Sequence, residues 1–450
     1  MFQSDHLILN VQVLNALQPV SIFSFNTIVV GGGHAGLGTS YFLKQQKIVH
    51  LLFERHRIGN SWSSQRWDSF KLNTPYKYSG LPGFDTHFTG PDRFLSAKEF
   101  VSMLEQYVKK YNLPVVENSN VLSVEKASDS DFFQVTVSTN GKMNKFRSNN
   151  VVVASGAHSR KIVPLHSRDV LPEIFQLHAS EYRNAGDLPK GAVLVIGSGQ
   201  SGIQIAEDLL DSGRKVFVST SMVARVPRRY RGKDMIEWMN LSGFLDQRTD
   251  GITDPQVLKM KQPQISGVGP GGKTVSLQSL AKKGATILGK SAGFDGPSVH
   301  LQPDAAIHVK YGDDFSQAVK SMIDEFISKA KLDAPDPEPD EADLPDLNRV
   351  CASRETTLNL SDHEVSTIIW STGFDGDFDY LKLPVFNEDG TIIHKGGVSE
   401  VEGLYFIGFP WLRKRQSGLI QGTEEDAEII CHKIKELNLE RMNAEHQPHF

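Results

Sequence analysis

The sequence predicts an α/β protein carrying two Rossmann-like dinucleotide-binding units, and three observations predict it. The chain has 450 residues, room for two to four domains at roughly 150 residues each. Hydrophobic residues make up 39% and charged residues 22%, the composition of a soluble globular protein. The pattern GxGxxG occurs twice, each time after a short apolar run and ahead of a helical stretch.

The first unit begins at Thr27-Ile28-Val29-Val30, a β-branched run that ends in Gly31-Gly32-Gly33-His34-Ala35-Gly36. Each glycine of the pattern has a task. Gly31 makes the tight turn, Gly33 lets backbone approach a pyrophosphate, and Gly36 lets the helix from Leu37 to Gln45 pack closely on the strand. The helix N-terminus offers amide donors and positive dipole to phosphate. A second apolar strand, Val49 to Phe53, ends in Glu54. A carboxylate roughly 20 residues after the first glycine accepts hydrogen bonds from a ribose 2′-hydroxyl.

The second unit repeats this order. Ala192 to Ile196 leads into Gly197-Ser198-Gly199-Gln200-Ser201-Gly202, then the helix Ile203 to Leu210, then the strand Lys215 to Val218. Where the first unit has Glu54, the second has Thr220. A carboxylate there repels a 2′-phosphate, whereas a hydroxyl beside Arg225, Arg228 and Arg229 accepts one, so the second site reads as built for NADPH rather than NADH. A chain with two such units commonly binds two dinucleotides, one of them FAD.

Composition and spacing exclude other classes. Lys plus Arg number 48 and Asp plus Glu 53, a net charge of −5 that disfavours sequence-independent nucleic-acid binding. Cys351 and Cys431 are too far apart for a CxxC redox pair or a metal-ligand pair and read as small buried hydrophobes. The sequence holds no HExxH motif. No Asp, Glu, Lys or Arg lies between Asp5 and Lys44, yet Asn10, Gln12, Pro19 and the glycines interrupt that stretch. It reads as neither a membrane span nor a secretory signal. Residues 1–25 are expected to be an N-terminal extension, and a cytoplasmic location is the default.

At this point the chain resembles the class B flavoprotein monooxygenases, which include flavin-containing monooxygenases, plant YUCCA-type enzymes and a bacterial branch labelled cation-transport-associated flavoproteins. The resemblance runs from about residue 26 to 435. Glu54-Arg55 through Gly59-Asn60-Ser61-Trp62 looks like the family's acidic residue and flavin loop. Trp67 to Pro75, then Gly80-Leu81-Pro82-Gly83, resembles the segment beneath the isoalloxazine. Val151 to Gly156 and Ile368 to Phe374 look like the paired strands that join two domains, and Gly403 to Gly408 like the strand that returns to the flavin. Of the FxGxxxHxxxY fingerprint, His178 and Tyr182 keep their spacing, while Pro172 and Ile174 replace Phe and Gly.

The resemblance implies FAD and NADPH as cofactors, a small-molecule substrate and O2 as reactants, and a flavin 4a-hydroperoxide that oxygenates an N or S heteroatom. Baeyer–Villiger insertion, oxidative decarboxylation, NADPH oxidase activity and nucleotide sensing remain alternatives, as does a homodimer. A disulfide reductase shares the two nested units but wants the CxxC pair. Cofactor contacts fall by resemblance on Gly31, Gly33, His34, Ala35, Gly36, Glu54, Arg55, Trp62, Leu72 and Asn73, then Val121, Ala154 and Gly156. In the second unit they fall on Gly197, Gly199, Gln200, Ser201, Gly202, Thr220 and Arg228, and later on Thr372, Gly373 and Gln421. Asn73 is also the expected catalytic residue, an amide donor near the flavin's reactive edge. Two nested domains are implied, FAD-binding over 1–165 and 366–450 and NADPH-binding over 166–365.

Three further stretches have expected roles. Residues 225–310, with a helical pattern over Ser276–Lys283, and the helix Asp314 to Lys331 read as an insertion that shapes a substrate pocket or a dimer contact. The acidic, Pro-rich residues 333–346 read as a solvated loop or strap. Arg228, Arg229 and Arg231, if they line the cleft mouth, favour an anionic substrate.

Overall fold

The computed structural model describes residues 23–84, 86, 90, 92–127, 131–260, 262–269, 271–343 and 354–445. Most of the expected N-terminal extension and Cys351 fall outside that set. Residues 23–25, counted in the extension, belong instead to the first strand, β1 (Phe23–Val30).

The first sheet is built from β1, β2 (His50–Phe53), β3 (Val115–Val116), β4 (Ser119–Lys126), β5 (Phe133–Thr139) and β6 (Lys142–Val153) in the order β3-β2-β1-β6-β5-β4. Strands β3, β2, β1 and β6 run parallel, and β4 to β6 form an antiparallel meander. Helix α1 (His34–Gln45) follows β1, a short α2 is Asn60–Ser64, and α3 (Ala97–Tyr111) crosses back to β3. Ser96 and Glu99 close the N-terminus of α3 with a reciprocal capping box.

The second sheet is wholly parallel, as expected of strands buried on both faces. It contains β7 (Phe175–His178), β8 (Ala192–Ile196), β9 (Val216–Ser219), β10 (Thr286–Leu288) and β14 (Val365–Trp370) in the order β10-β9-β8-β14-β7. Helix α4 (Gln200–Asp211) follows β8. A three-stranded antiparallel sheet of β11 (Ser291–Asp295), β12 (Ser298–Leu301) and β13 (Thr357–Asn359) flanks it.

These pairings correct the domain boundary. Every residue of β8 opposes a residue of β14, so the chain is still inside the second unit at Trp370. It returns to the first sheet only at β15 (Leu404–Phe406), which pairs with Val151–Val153 of β6. The strands leading to Gly156 and Gly373 therefore lie inside different sheets, and it is the chain just beyond them, Arg160–Lys161 and Phe374–Asp375, that pairs. Helix α8 (Thr423–Glu445) then packs on α1.

The insertion has its own core. Helices α5 (Met235–Leu241), α6 (Leu277–Lys282) and α7 (Ala305–Ala330) belong to it, α7 starting nine residues earlier than its sequence pattern indicated. Trp238, Met235, Tyr230 and Val226 pack with Val319 and Ile323 of α7. The described part of the acidic stretch is a strap: the Asp343 carboxylate reaches Arg225 and Lys320, and the Ala342 carbonyl accepts from Ser276.

Candidate functional site

The two glycine turns have the same geometry. Gly31 has φ +112° and Gly197 φ +104°, conformations that side chains with a Cβ rarely adopt. A Cβ on Gly31 would lie 2.4 Å from the Ala154 carbonyl oxygen, and one on Gly197 would lie 2.4 Å from that of Ser371. On Gly36 it would meet the Gly31 carbonyl at 1.9 Å, and on Gly202 the Gly197 carbonyl at 1.9 Å. The middle glycines, Gly33 and Gly199, and also Gly156 face open space. The first and third glycines are thus required by packing, while the second leaves open space at a helix N-terminus, the geometry that suits an anionic group.

Beyond the turns the units diverge. The Glu54 carboxylate accepts from the backbone N–H of Gly32 at 2.7 Å and of His56 at 2.9 Å, which fixes it at the end of β2 beside an exposed Arg55. Thr220 does not play the expected part. Its hydroxyl is buried, donates to the Leu288 carbonyl at 2.7 Å and lies 2.9 Å from His308 Nδ1. The arginines are committed too. Arg225 is paired with Asp313 and Asp343, both at 2.6 Å. Arg228 is buried against Asp234 at 2.5 Å. Arg231 binds Asp324 at 2.5 Å. Only Arg229 of the four is exposed and lacks a carboxylate among the described residues. Thr220 and Arg228 are thus engaged within the protein, and of the arginines expected to favour an anionic substrate Arg229 alone has no carboxylate partner among the described residues.

Instead, Arg228 turns toward the first unit, where its guanidinium donates to the Asn73 carbonyl at 2.8 Å and stacks on Phe94. Asn73 lies where both units meet. Its Oδ1 accepts from Gln204 Nε2 of α4 at 3.0 Å and from the Gly267 N–H at 3.3 Å. Leu72, one residue earlier, is in the core, and its carbonyl touches Gly267. The loop 264–267 also lies along the second glycine turn: Gln264 donates to the Ser198 carbonyl at 2.6 Å, and Ile265 exchanges hydrogen bonds with the Gln200 amide.

The remaining expected contacts scatter around this junction. Trp62 stands edge-on to Phe100 at 5.0 Å, with the Arg66 guanidinium over its ring. Burial and the neighbouring Arg183 lower the Arg66 guanidinium to about 10. Ala154 is buried behind Gly31, and Ser201 is the second residue of α4. Val121 packs into the core, so its side chain is unavailable to a ligand. Thr372 donates to the Ile162 carbonyl and Gly373 accepts from His178 Nε2 at 3.0 Å. Tyr182 donates to Asp208 at 2.6 Å, and Ser69 of the first unit donates to the same carboxylate. His178 and Tyr182 therefore tie segments together rather than facing open space. Gln421 donates to Asn240 and Gln416, both at 3.1 Å.

Polar atoms in this region are sealed from solvent without a partner among the described residues, among them His34 Nε2, Gln204 Oε1, Ser371 Oγ and Gln421 Oε1. Burial lowers the His34 imidazole to about 4, so it is neutral at neutral pH. Orphaned groups of this kind beside two open helix N-termini fit bound dinucleotides, whose amides, hydroxyls and phosphates satisfy such atoms. Cys431 is buried and its thiol is pushed up by burial, which makes it inert. Among the described residues no cluster of three or more His, Cys, Asp or Glu is placed to hold a metal, and no helix is long and apolar enough to cross a membrane.

A family profile described as pyridine nucleotide-disulphide oxidoreductase matches residues 28–240. The oxidoreductase CzcO of Bacillus subtilis (strain 168), described as uncharacterized, is 32% identical over 421 residues, 92% of this chain and 99% of the relative. The chain belongs to the class B flavin monooxygenase family. It is an oxidoreductase whose family cofactors are FAD and NADPH. YUCCA9 of Arabidopsis thaliana, a probable indole-3-pyruvate monooxygenase, is 27% identical over 48% of this chain and 53% of its own. The flavin-containing monooxygenase of Stenotrophomonas maltophilia shares the fold, with a TM-score of 0.60 at 18% identity over 92% of this chain and 99% of that one. Gln204, Gln264 and Gly267 were not singled out by sequence. Gln204 reads there only as one more helical residue, and no local signal announces its reach to Asn73.

Proposed function

We propose that the protein is an NADPH- and O2-dependent monooxygenase acting on a small molecule at a nitrogen or sulfur atom, with FAD in the first cradle and NADPH in the second. The observation that carries this reading is Asn73, a first-unit amide held by second-unit residues where the cradles converge. When bound, the two dinucleotides supply hydride transfer and oxygen activation. The protein supplies the rest.

Gly33 and the amides opening α1 would hold the flavin's pyrophosphate, and Glu54 its ribose hydroxyl. Gly199 and the start of α4 would hold the nicotinamide dinucleotide. Asn73 would offer Nδ2 to the reacting centre, and the loop 264–267 with Arg228 would help keep water out of the junction, where it otherwise diverts oxygen to peroxide. No acid–base dyad is needed, and none is assembled from the expected residues.

Turnover with 18O-labelled oxygen across amines, thioethers and ketones tests this. One label in an N- or S-oxide, with one NADPH consumed per product, supports it. A labelled ester or a decarboxylated product moves the chain to the alternative chemistries, and stoichiometric peroxide with every substrate marks an oxidase.

A further inference from the structure

We propose that Gln204 is a positioning residue that decides which way the Asn73 amide faces, so that the NADPH-side helix sets a donor on the flavin side. The inference rests on the reading of Asn73 above and goes past it to a residue in the other unit.

Gln200 and Gln204 lie one turn apart on α4 and share a face. Gln200 is spent on Ile265. Gln204 is 4% exposed, and its Nε2 reaches Asn73 Oδ1 at 3.0 Å, Ser266 Oγ at 3.3 Å and the Ile265 carbonyl at 3.4 Å. An amide contact alone does not distinguish oxygen from nitrogen, since the pair could be turned over together. Gly267 decides the matter. Its backbone N–H, which can only donate, points at the same corner of Asn73 at 3.3 Å. That corner must be oxygen, and Gln204 must present its NH2.

With Oδ1 gripped by two donors from the second unit, Asn73 Nδ2 lies on the opposite corner of a planar group and has no protein partner among the described residues. Arg228 holds the same residue's carbonyl at 2.8 Å, so both ends of Asn73 are fixed by the second unit. The Gln204 Oε1 is sealed and has no partner among the described residues. The side chain is therefore held by protein through its NH2 end. Its amide is kept for the donor at the other end.

Reversing the polarity at Gln204 tests the proposal. Gln204→Met keeps the volume and removes the donor. Gln204→Glu places an acceptor against Asn73 Oδ1 and turns the amide over. Each variant is purified with its flavin, reduced anaerobically by NADPH, and mixed with oxygen, while the lag before the oxidised spectrum returns and the peroxide released are recorded.

Both variants should be reduced at close to the wild-type rate, with the lag shortened about tenfold, the worth of one hydrogen bond. Gln204→Glu carries a further signature. A buried carboxyl titrates high, and once protonated its O–H donates to Asn73 Oδ1 as the amide does. The lag should therefore lengthen as pH falls for Gln204→Glu and stay flat for Gln204→Met. Asn73→Asp, which keeps the acceptor and loses the donor, should match Gln204→Glu at high pH.

Wild-type lags in both Gln204 variants, with a shortened lag in Asn73→Ala, would overturn the positioning role and leave the Asn73 reading intact. An unchanged lag in Asn73→Ala would overturn that reading first, and the inference with it. Should Gln204→Met lose its flavin on purification, the pH profile of Gln204→Glu decides, because it removes and restores the donor within one protein.

Discussion

The two cradles share a backbone and differ in chemistry. In both, the first and third glycines are forced by carbonyl oxygens within 2.4 Å and 1.9 Å of where a Cβ would sit. Around that common turn, the first cradle ends its second strand in a carboxylate gripped by two backbone amides, whereas the second ends in a hydroxyl turned inward to the sheet. The first opens its helix with His34 and starts β2 with His50, both neutral through burial. At the matching places the second has Gln200 and Val216. On the proposed reading the turn receives a pyrophosphate in either case, and the flanking side chains decide which dinucleotide stays and under what conditions. Gln200 is moreover tied to loop 264–267, whereas His34 hydrogen-bonds the backbone of Gly418.

The largest contrast should come from the third glycines. Gly36→Ala drives a methyl into the Gly31 carbonyl and should yield protein without flavin. Gly202→Ala makes the same clash in the other unit and should leave the protein yellow, with reduction by NADPH slowed about 100-fold, the scale of a 1 Å misplacement. Absorbance after purification and an anaerobic NADPH titration check both. If Gly202→Ala loses flavin and Gly36→Ala keeps it, the assignment of the cradles is reversed.

Next in size is Glu54→Gln. It weakens two hydrogen bonds to a charged acceptor and one to the ribose, and should raise the FAD dissociation constant about ten- to a hundredfold. NADPH affinity, measured on flavin-saturated protein, should not move.

The histidines give the contrast a pH dependence. His34 and His50 fall to about 4 in the fold from an ordinary 6.5. The unfolded chain therefore binds more protons between those values. Their contribution to stability is complete above pH 6.5 and is lost as pH falls toward 4. Free-flavin fluorescence should rise across that window, and His34→Gln, which copies the second cradle, should flatten the rise. An identical profile in that variant would show that the first cradle's acid lability lies elsewhere.

Thr220→Val should have the smallest effect. It removes a buried hydroxyl from Leu288 and His308 and should cost about 1 kcal/mol in a melting experiment, while the KM for NADPH stays unchanged. A selective rise in that KM would restore Thr220 to the phosphate site.

Much of this arrangement was legible beforehand because the glycine turn needs three glycines at fixed spacing, and only a few backbones satisfy it. The carboxylate at Glu54 follows from the same register. The meander of β4 to β6 was not read from the sequence, although the alternation of Phe133, Val135 and Val137 and the Asn140-Gly141 turn carry its signal. What stayed hidden was non-local. No local pattern tells Ile368 and Ile369 which sheet to join, since parallel partners come from distant segments. The basic run from Arg225 to Arg231 looked free because its carboxylates, Asp313, Asp324 and Asp343, arrive from α7 and the strap. Gln204 looked like any helical glutamine until Asn73 was brought to it.

Rapid mixing of the anaerobically NADPH-reduced protein with oxygen, followed across the visible and near-ultraviolet spectrum, tests the monooxygenase reading most directly. A delay before the oxidised flavin spectrum returns, ended by a thioether or amine with one labelled oxygen in the product, is the expected result. Immediate return of that spectrum, with one peroxide per NADPH whatever substrate is present, would contradict it.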